Sequence, residues 1–168
     1  MGPLMTEPVA GTIYVLDTNV FMDWQFRYYP TDIFPSLLGC VDALIEKNRC
    51  FSPQLVEEEL GVVGTTELKV WADSRPTLFV PLSEMMAEAI SIQARFPGLL
   101  DPKATYEEAD AYVIAFAKLK GGVVVTQETS AAEKRNPKRT HFIPDVCREL
   151  GLPCISFLGL MRREGWTL

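Results

Sequence analysis

Along this chain, short unbroken apolar runs alternate with stretches in which apolar residues return every three or four positions. Thr12 to Leu16 is of the first kind and predicts a strand buried on both faces. Phe34 to Asn48 is of the second: Leu37, Leu38, Val41, Leu44 and Ile45 share one helical face. Ser52-Pro53 reads as an N-cap followed by a first-turn proline, predicting a helix from Pro53 that ends near Gly61. Thr65 to Asp73 predicts a further short helix, Thr77 to Pro81 a second strand, and Glu84 to Arg95 a helix closed by Pro97-Gly98. Thr105 and Glu108 have capping-box spacing at the head of a helix from Thr105 to Lys120, which Gly121 terminates. Gly122 to Thr126 predicts a third strand. Thr140 to Ile143 and Cys154 to Phe157 predict short additional ones, with a helical turn over Asp145 to Leu150 between them and a last helix over Leu158 to Glu164.

Strands alternating with helices predict an α/β fold with a central, mostly parallel sheet between two layers of helices. The length of 168 residues suits one domain, with Met1 to Gly11 read as a flexible tail. That tail has no positive charge ahead of an apolar core, so no secretory signal is expected. No apolar stretch approaches the roughly 20 residues that cross a bilayer, so no membrane partner is expected. The cysteines, Cys40, Cys50, Cys147 and Cys154, form no C-x-x-C pair, and His141 is the only histidine. They make a poor zinc set and read as reduced core residues of a cytoplasmic protein.

The acids change the picture. In open parallel sheets, sites form beyond the carboxyl ends of the strands. Asp17 lies there after the first strand, and Glu128 lies just past "GVVVT". If the two strands are neighbours, both side chains reach one crevice. Asp110 stands in the first turn of a helix that is apolar almost all round from Ala109 to Leu119, an unusual place for a carboxylate. In "SPQLVEEEL", Leu55, Val56 and Leu60 mark the inner face; Glu59 falls beside it, and Glu58 is the alternative. Four carboxylates in one crevice stay apart in charge only if some hold protons or a divalent cation neutralises them. Oxygen ligands suit Mg²⁺ or Mn²⁺, and such an ion can drive hydrolysis of a phosphodiester. Each acid also has a plainer reading. Asp17 can cap the next helix, Asp110 can be an ordinary first-turn acid, Glu57 to Glu59 can be a solvated face, and Glu128 can be a loop residue.

The joint order of "VLDTN", a helix carrying "EL", "EEADAYVIAFA" and "GVVVTQE" resembles the PIN-domain family of metal-dependent ribonucleases, most of all its small prokaryotic members, including VapC-type toxins. The resemblance runs from about Thr12 to Phe157. It implies a PIN-like three-layer α/β/α fold, dependence on Mg²⁺ or Mn²⁺, and endonucleolytic cleavage of single-stranded RNA. It places the family's acids on Asp17, Glu59, Asp110 and Glu128, with Glu128 standing where an aspartate is usual. Asp145 is a candidate to supply or replace that last metal ligand; its alternative is a cap for the following helix. Thr18 and Asn19 match residues that orient the first acid or water. Toxin members also imply an antitoxin protein as partner and a homodimer.

Net charge is −6, from 16 basic and 22 acidic residues, which argues against a broad electrostatic grip on nucleic acid. A local patch remains open to an RNA substrate. Lys134, Arg135, Lys138 and Arg139 follow Glu128 and are read as phosphate contacts, against the alternative of a solvated loop. Trp24, Phe26, Tyr28 and Tyr29 can stack on bases, cover a partner surface or fill the core. Two other functional classes compete. One is a catalytically degenerate PIN-like module that binds protein or RNA, favoured by Glu128 in place of aspartate. The other is an aspartyl-phosphate phosphatase with Asp17 as nucleophile, weakened by Asn19 where a second aspartate is needed.

Overall fold

The structure, a computed structural model, describes residues 11–168. The expected tail over Met1 to Gly11 therefore lies outside the described residues except for Gly11. Five strands form one parallel sheet: β1 (Tyr14–Leu16), β2 (Cys50–Pro53), β3 (Phe79–Val80), β4 (Val123–Val125) and β5 (Cys154–Ile155), in the order β3-β2-β1-β4-β5. The fold is α/β, as the alternation predicts. β1 is central. From it the chain builds outward through β2 and β3, then returns to lay β4 on the other side of β1. That reversal is a topological switch point, where parallel sheets open a crevice.

Eight α-helices are described: α1 (Thr18–Met22), α2 (Pro35–Glu46), α3 (Gln54–Val63), α4 (Thr66–Asp73), α5 (Met86–Arg95), α6 (Asp110–Lys120), α7 (Ile143–Leu150) and α8 (Phe157–Glu164). α6 packs on β1, β2 and β4 and is flanked by α5 and α7. Its residues Ala111 to Ala117 are all buried, as an apolar circumference requires. The second layer includes α2 against β2 and α8, whose Phe157 meets Trp24 and Tyr29 at 6.0 and 6.1 Å between ring centroids. Among the described residues, no helix is long and apolar enough to cross a membrane.

Several expectations are corrected. Ser52 and Pro53 belong to a strand, not to a helix start: Ser52 N–H donates to Leu78 O at 2.8 Å and its hydroxyl to Leu16 O at 2.7 Å, while α3 begins at Gln54. Thr105 and Glu108 make no capping box. Glu108 accepts the Asp101 N–H at 2.9 Å, and α6 starts five residues later than expected, at Asp110. Thr140 to Ile143 is not a strand; it is irregular up to Ile143, which opens α7. α1 was not foreseen, nor the π-helical stretch Asp23–Tyr28 that continues it. That stretch divides the aromatic run: Trp24 is core, edge-on to Trp71 at 5.0 Å, whereas Phe26 and Tyr28 are exposed. Of the cysteines, Cys50 and Cys147 are buried, and Cys40 and Cys154 are half-buried.

Candidate metal centre at the sheet's switch point

Parallel pairing of Leu16 with Val125 brings the loops after β1 and β4 side by side. Polar side chains stitch them together. Asp17 Oδ2 accepts from the Thr126 hydroxyl at 3.0 Å, and Asn19 Oδ1 accepts from Gln127 N–H at 3.0 Å. Asp17 is also the N-cap residue of α1, with Oδ1 accepting from Thr18 N–H at 2.8 Å. The capping reading of Asp17 is thus met, and the same side chain is buried at the tip of β1.

Asp17, Asp110 and Glu128 converge: each offers a carboxylate oxygen, and these oxygens all lie within 4.8 Å of one another. Asp110 arrives at the first residue of α6, and Glu128 from the loop after β4. The N-terminus of α7 reaches Glu128, with Ile143 N–H donating to Oε2 at 3.1 Å. Glu59 stands beside the three. It accepts from the Thr18 hydroxyl and from Ala109 N–H at 3.1 Å, so a residue of α3 caps the start of α6. Glu58 is exposed, which separates the two alternatives on α3.

Burial and crowding of like charge raise every one of these acids. Asp17 is pushed well up, first by burial and then by the carboxylates of Asp110 and Glu128. Asp110 is raised by burial, with the Arg139 guanidinium working against it. Burial, followed by Asp110, lifts Glu128 to about 7, and burial raises Glu59. A buried, all-oxygen donor set that resists ionisation is what a hard divalent cation would relieve, so the residues fit Mg²⁺ or Mn²⁺.

Two predicted residues are placed differently. Asp145 is not among the converging acids. Its Oδ2 accepts the N–H groups of Ala131 and Phe142 at 2.9 and 2.8 Å, and its Oδ1 accepts from Arg148 at 3.3 Å. It binds the 130s loop to the start of α7, the capping alternative. Arg139 is no free rim cation. Its guanidinium donates to Asp110 Oδ2 at 2.9 Å and to Leu99 O at 2.9 Å, and lies 3.5 Å from Glu108. Glycine makes this possible: a Cβ on Gly98 would fall 1.8 Å from Thr140 Oγ1, so the loop bearing Arg139 closes onto a residue without a side chain. Lys134 is half-buried, 4.3 Å over the Phe142 ring, and Arg135 and Lys138 are exposed. Thr126, Gln127 and Glu108 were not foreseen as site residues. The threonine that ends "GVVVT" was the available signal for the first.

The family model described as a domain of unknown function, DUF4411, matches residues 14–168. The chain belongs to the DUF4411 family. No curated protein and no solved structure matches this DUF4411 chain.

Proposed function

We propose that this chain is a metal-dependent endoribonuclease of the PIN-domain kind that hydrolyses phosphodiester bonds of single-stranded RNA. The convergence of Asp17, Asp110 and Glu128 at the switch point supports this reading most directly. When held there, Mg²⁺ or Mn²⁺ supplies positive charge for the phosphodiester oxygens and lowers the pKa of water. The chain's own residues do the rest. Asp17 is fixed by Thr18 N–H and the Thr126 hydroxyl, so its carboxylate needs no reorganisation to bind. Asn19 locks the two loops together. Glu59 orients Thr18 and the start of α6. Lys134, Arg135 and Lys138 bring positive charge to RNA phosphates beside an otherwise acidic site. Phe26 and Tyr28 offer exposed ring faces to unpaired bases. By resemblance to toxin members, the reading extends to a cytoplasmic toxin held by an antitoxin partner, with a homodimer as its assembly.

The test is Mn²⁺ calorimetry on wild type and Asp17→Asn, followed by cleavage of single-stranded RNA on the same samples. Binding and cleavage are both expected in the wild type and both lost in the variant. No Mn²⁺ binding by wild type at millimolar metal would overturn the proposal. It would favour a catalytically degenerate RNA- or protein-binding module. The observation on that side is the Arg139 guanidinium, a protein cation already seated on Asp110.

A further inference from the structure

The turn between α7 and β5 brings two thiols together. α7 carries Cys147 on its buried side, and Gly151, at φ 69°, ends the helix in the left-handed region. Leu152 N–H then donates back to Cys147 O at 2.8 Å, and the reversed chain enters β5 at Cys154. Ile155 faces α8, its Cβ 3.2 Å from where a side chain on Gly159 would begin, so Cys154, one residue earlier in the strand, faces the opposite layer, where α7 packs on β5 with Cys147 on its buried side. Cys40 on α2 and Cys50 at the start of β2 belong to other parts of the fold.

The two sulfurs differ in access. Cys147 is fully buried, whereas Cys154 is half-buried on the wall of an open cavity of about 340 Å³, together with Thr126, Gln127, Glu128 and Pro144. A small oxidant can therefore reach Cys154 first and find Cys147 directly behind it. Thiols that face each other from two packed elements need no large backbone shift to bond.

We propose that Cys154 and Cys147 form a reversible intrachain disulfide when the protein meets peroxide, a redox modification site on the edge of the carboxylate crevice. The Cys154 sulfur attacks one peroxide oxygen, the O–O bond breaks, one water leaves and Cys154 becomes a sulfenic acid. The Cys147 sulfur then attacks the Cys154 sulfur, the S–O bond breaks and a second water leaves. Two thiols are oxidised and one peroxide is reduced to two waters, which carry away both thiol protons. A dithiol reverses the change by exchange. The bond would tie together the two elements that flank Glu128. α7 holds its carboxylate through Ile143 N–H, and β5 accepts Thr126 N–H through Ile155 O at 3.0 Å.

The experiment is intact mass and peptide mapping of the full chain after stoichiometric hydrogen peroxide. The expected result is loss of two hydrogens, recovered by dithiothreitol, with a mapped link between Cys147 and Cys154. Cys147→Ser should instead accumulate a sulfenic acid at Cys154 that dimedone captures. If all the wild-type thiols stay alkylatable after peroxide, or the link maps to other cysteines, the proposal is overturned. Neither readout depends on metal binding or RNA cleavage, and the wild-type result does not depend on a variant folding.

Discussion

Asp110 shares its carboxylate with Arg139 at 2.9 Å, and any cation entering the crevice must contend with that guanidinium. At an effective dielectric near 20, a unit charge a few ångströms from a divalent ion opposes it by several kcal/mol. Much of that is relieved if the arginine swings toward the solvent or a phosphate. Arg139→Gln is therefore expected to tighten Mn²⁺ binding roughly tenfold, about 1.4 kcal/mol, while weakening RNA binding. Calorimetry on the two proteins checks it, and unchanged or weaker Mn²⁺ affinity would sink the idea. Asp17, Asp110 and Glu59 were legible in the sequence because strand tips and helix faces fix where a side chain starts. The inward turn of Arg139 was not, because a basic run shows charge without direction. Asp145 illustrates the same gap: a candidate ligand by composition, it is engaged by two backbone N–H groups.

The short 3₁₀ turn Pro97–Leu99 and the segment around Thr140 meet with no room for a side chain at position 98. His141 N–H donates to Gly98 O at 3.3 Å, and Arg139 reaches the neighbouring carbonyl of Leu99. Gly98→Ala should push the two segments apart, costing about 1–3 kcal/mol, as overpacking usually does. It should also release Arg139 from its backbone anchor. A urea midpoint indistinguishable from wild type would contradict this. The larger elements were readable because their signals are local: the apolar circumference of α6, the left-handed glycine at 121 with φ 60°, and the Thr65 cap of α4. The misread ones depend on distant partners. Ser52 looks like a cap until Leu16 and Leu78 are beside it. Likewise, Thr105 and Glu108 have the right spacing, yet the group that bonds the N–H of Ala109, just ahead of α6, is Glu59 from another helix.

Across the whole molecule, gathering raised carboxylates makes folding sensitive to pH. Glu128 sits at about 7 in the folded chain, above its ordinary 4.5, so the folded state binds more protons between those values. Its contribution favours folding below pH 4.5 and is lost as pH rises toward 7, a swing on the order of 3 kcal/mol. Without metal, the melting temperature should therefore fall across that window, and less steeply in Glu128→Gln. Added Mn²⁺ should raise it more at pH 7.5 than at pH 5, because binding needs ionised ligands. Parallel pH profiles for the two proteins would count against this account. The sheet order itself has a consequence in time. Asp17 and Thr126, hydrogen-bonded across the switch point, are 109 positions apart, and Glu128 and the helix that holds it come later still. A chain leaving the ribosome thus displays its first acid long before the others exist. If the protein cuts RNA, the nascent chain has no assembled blade while its own message is still being read.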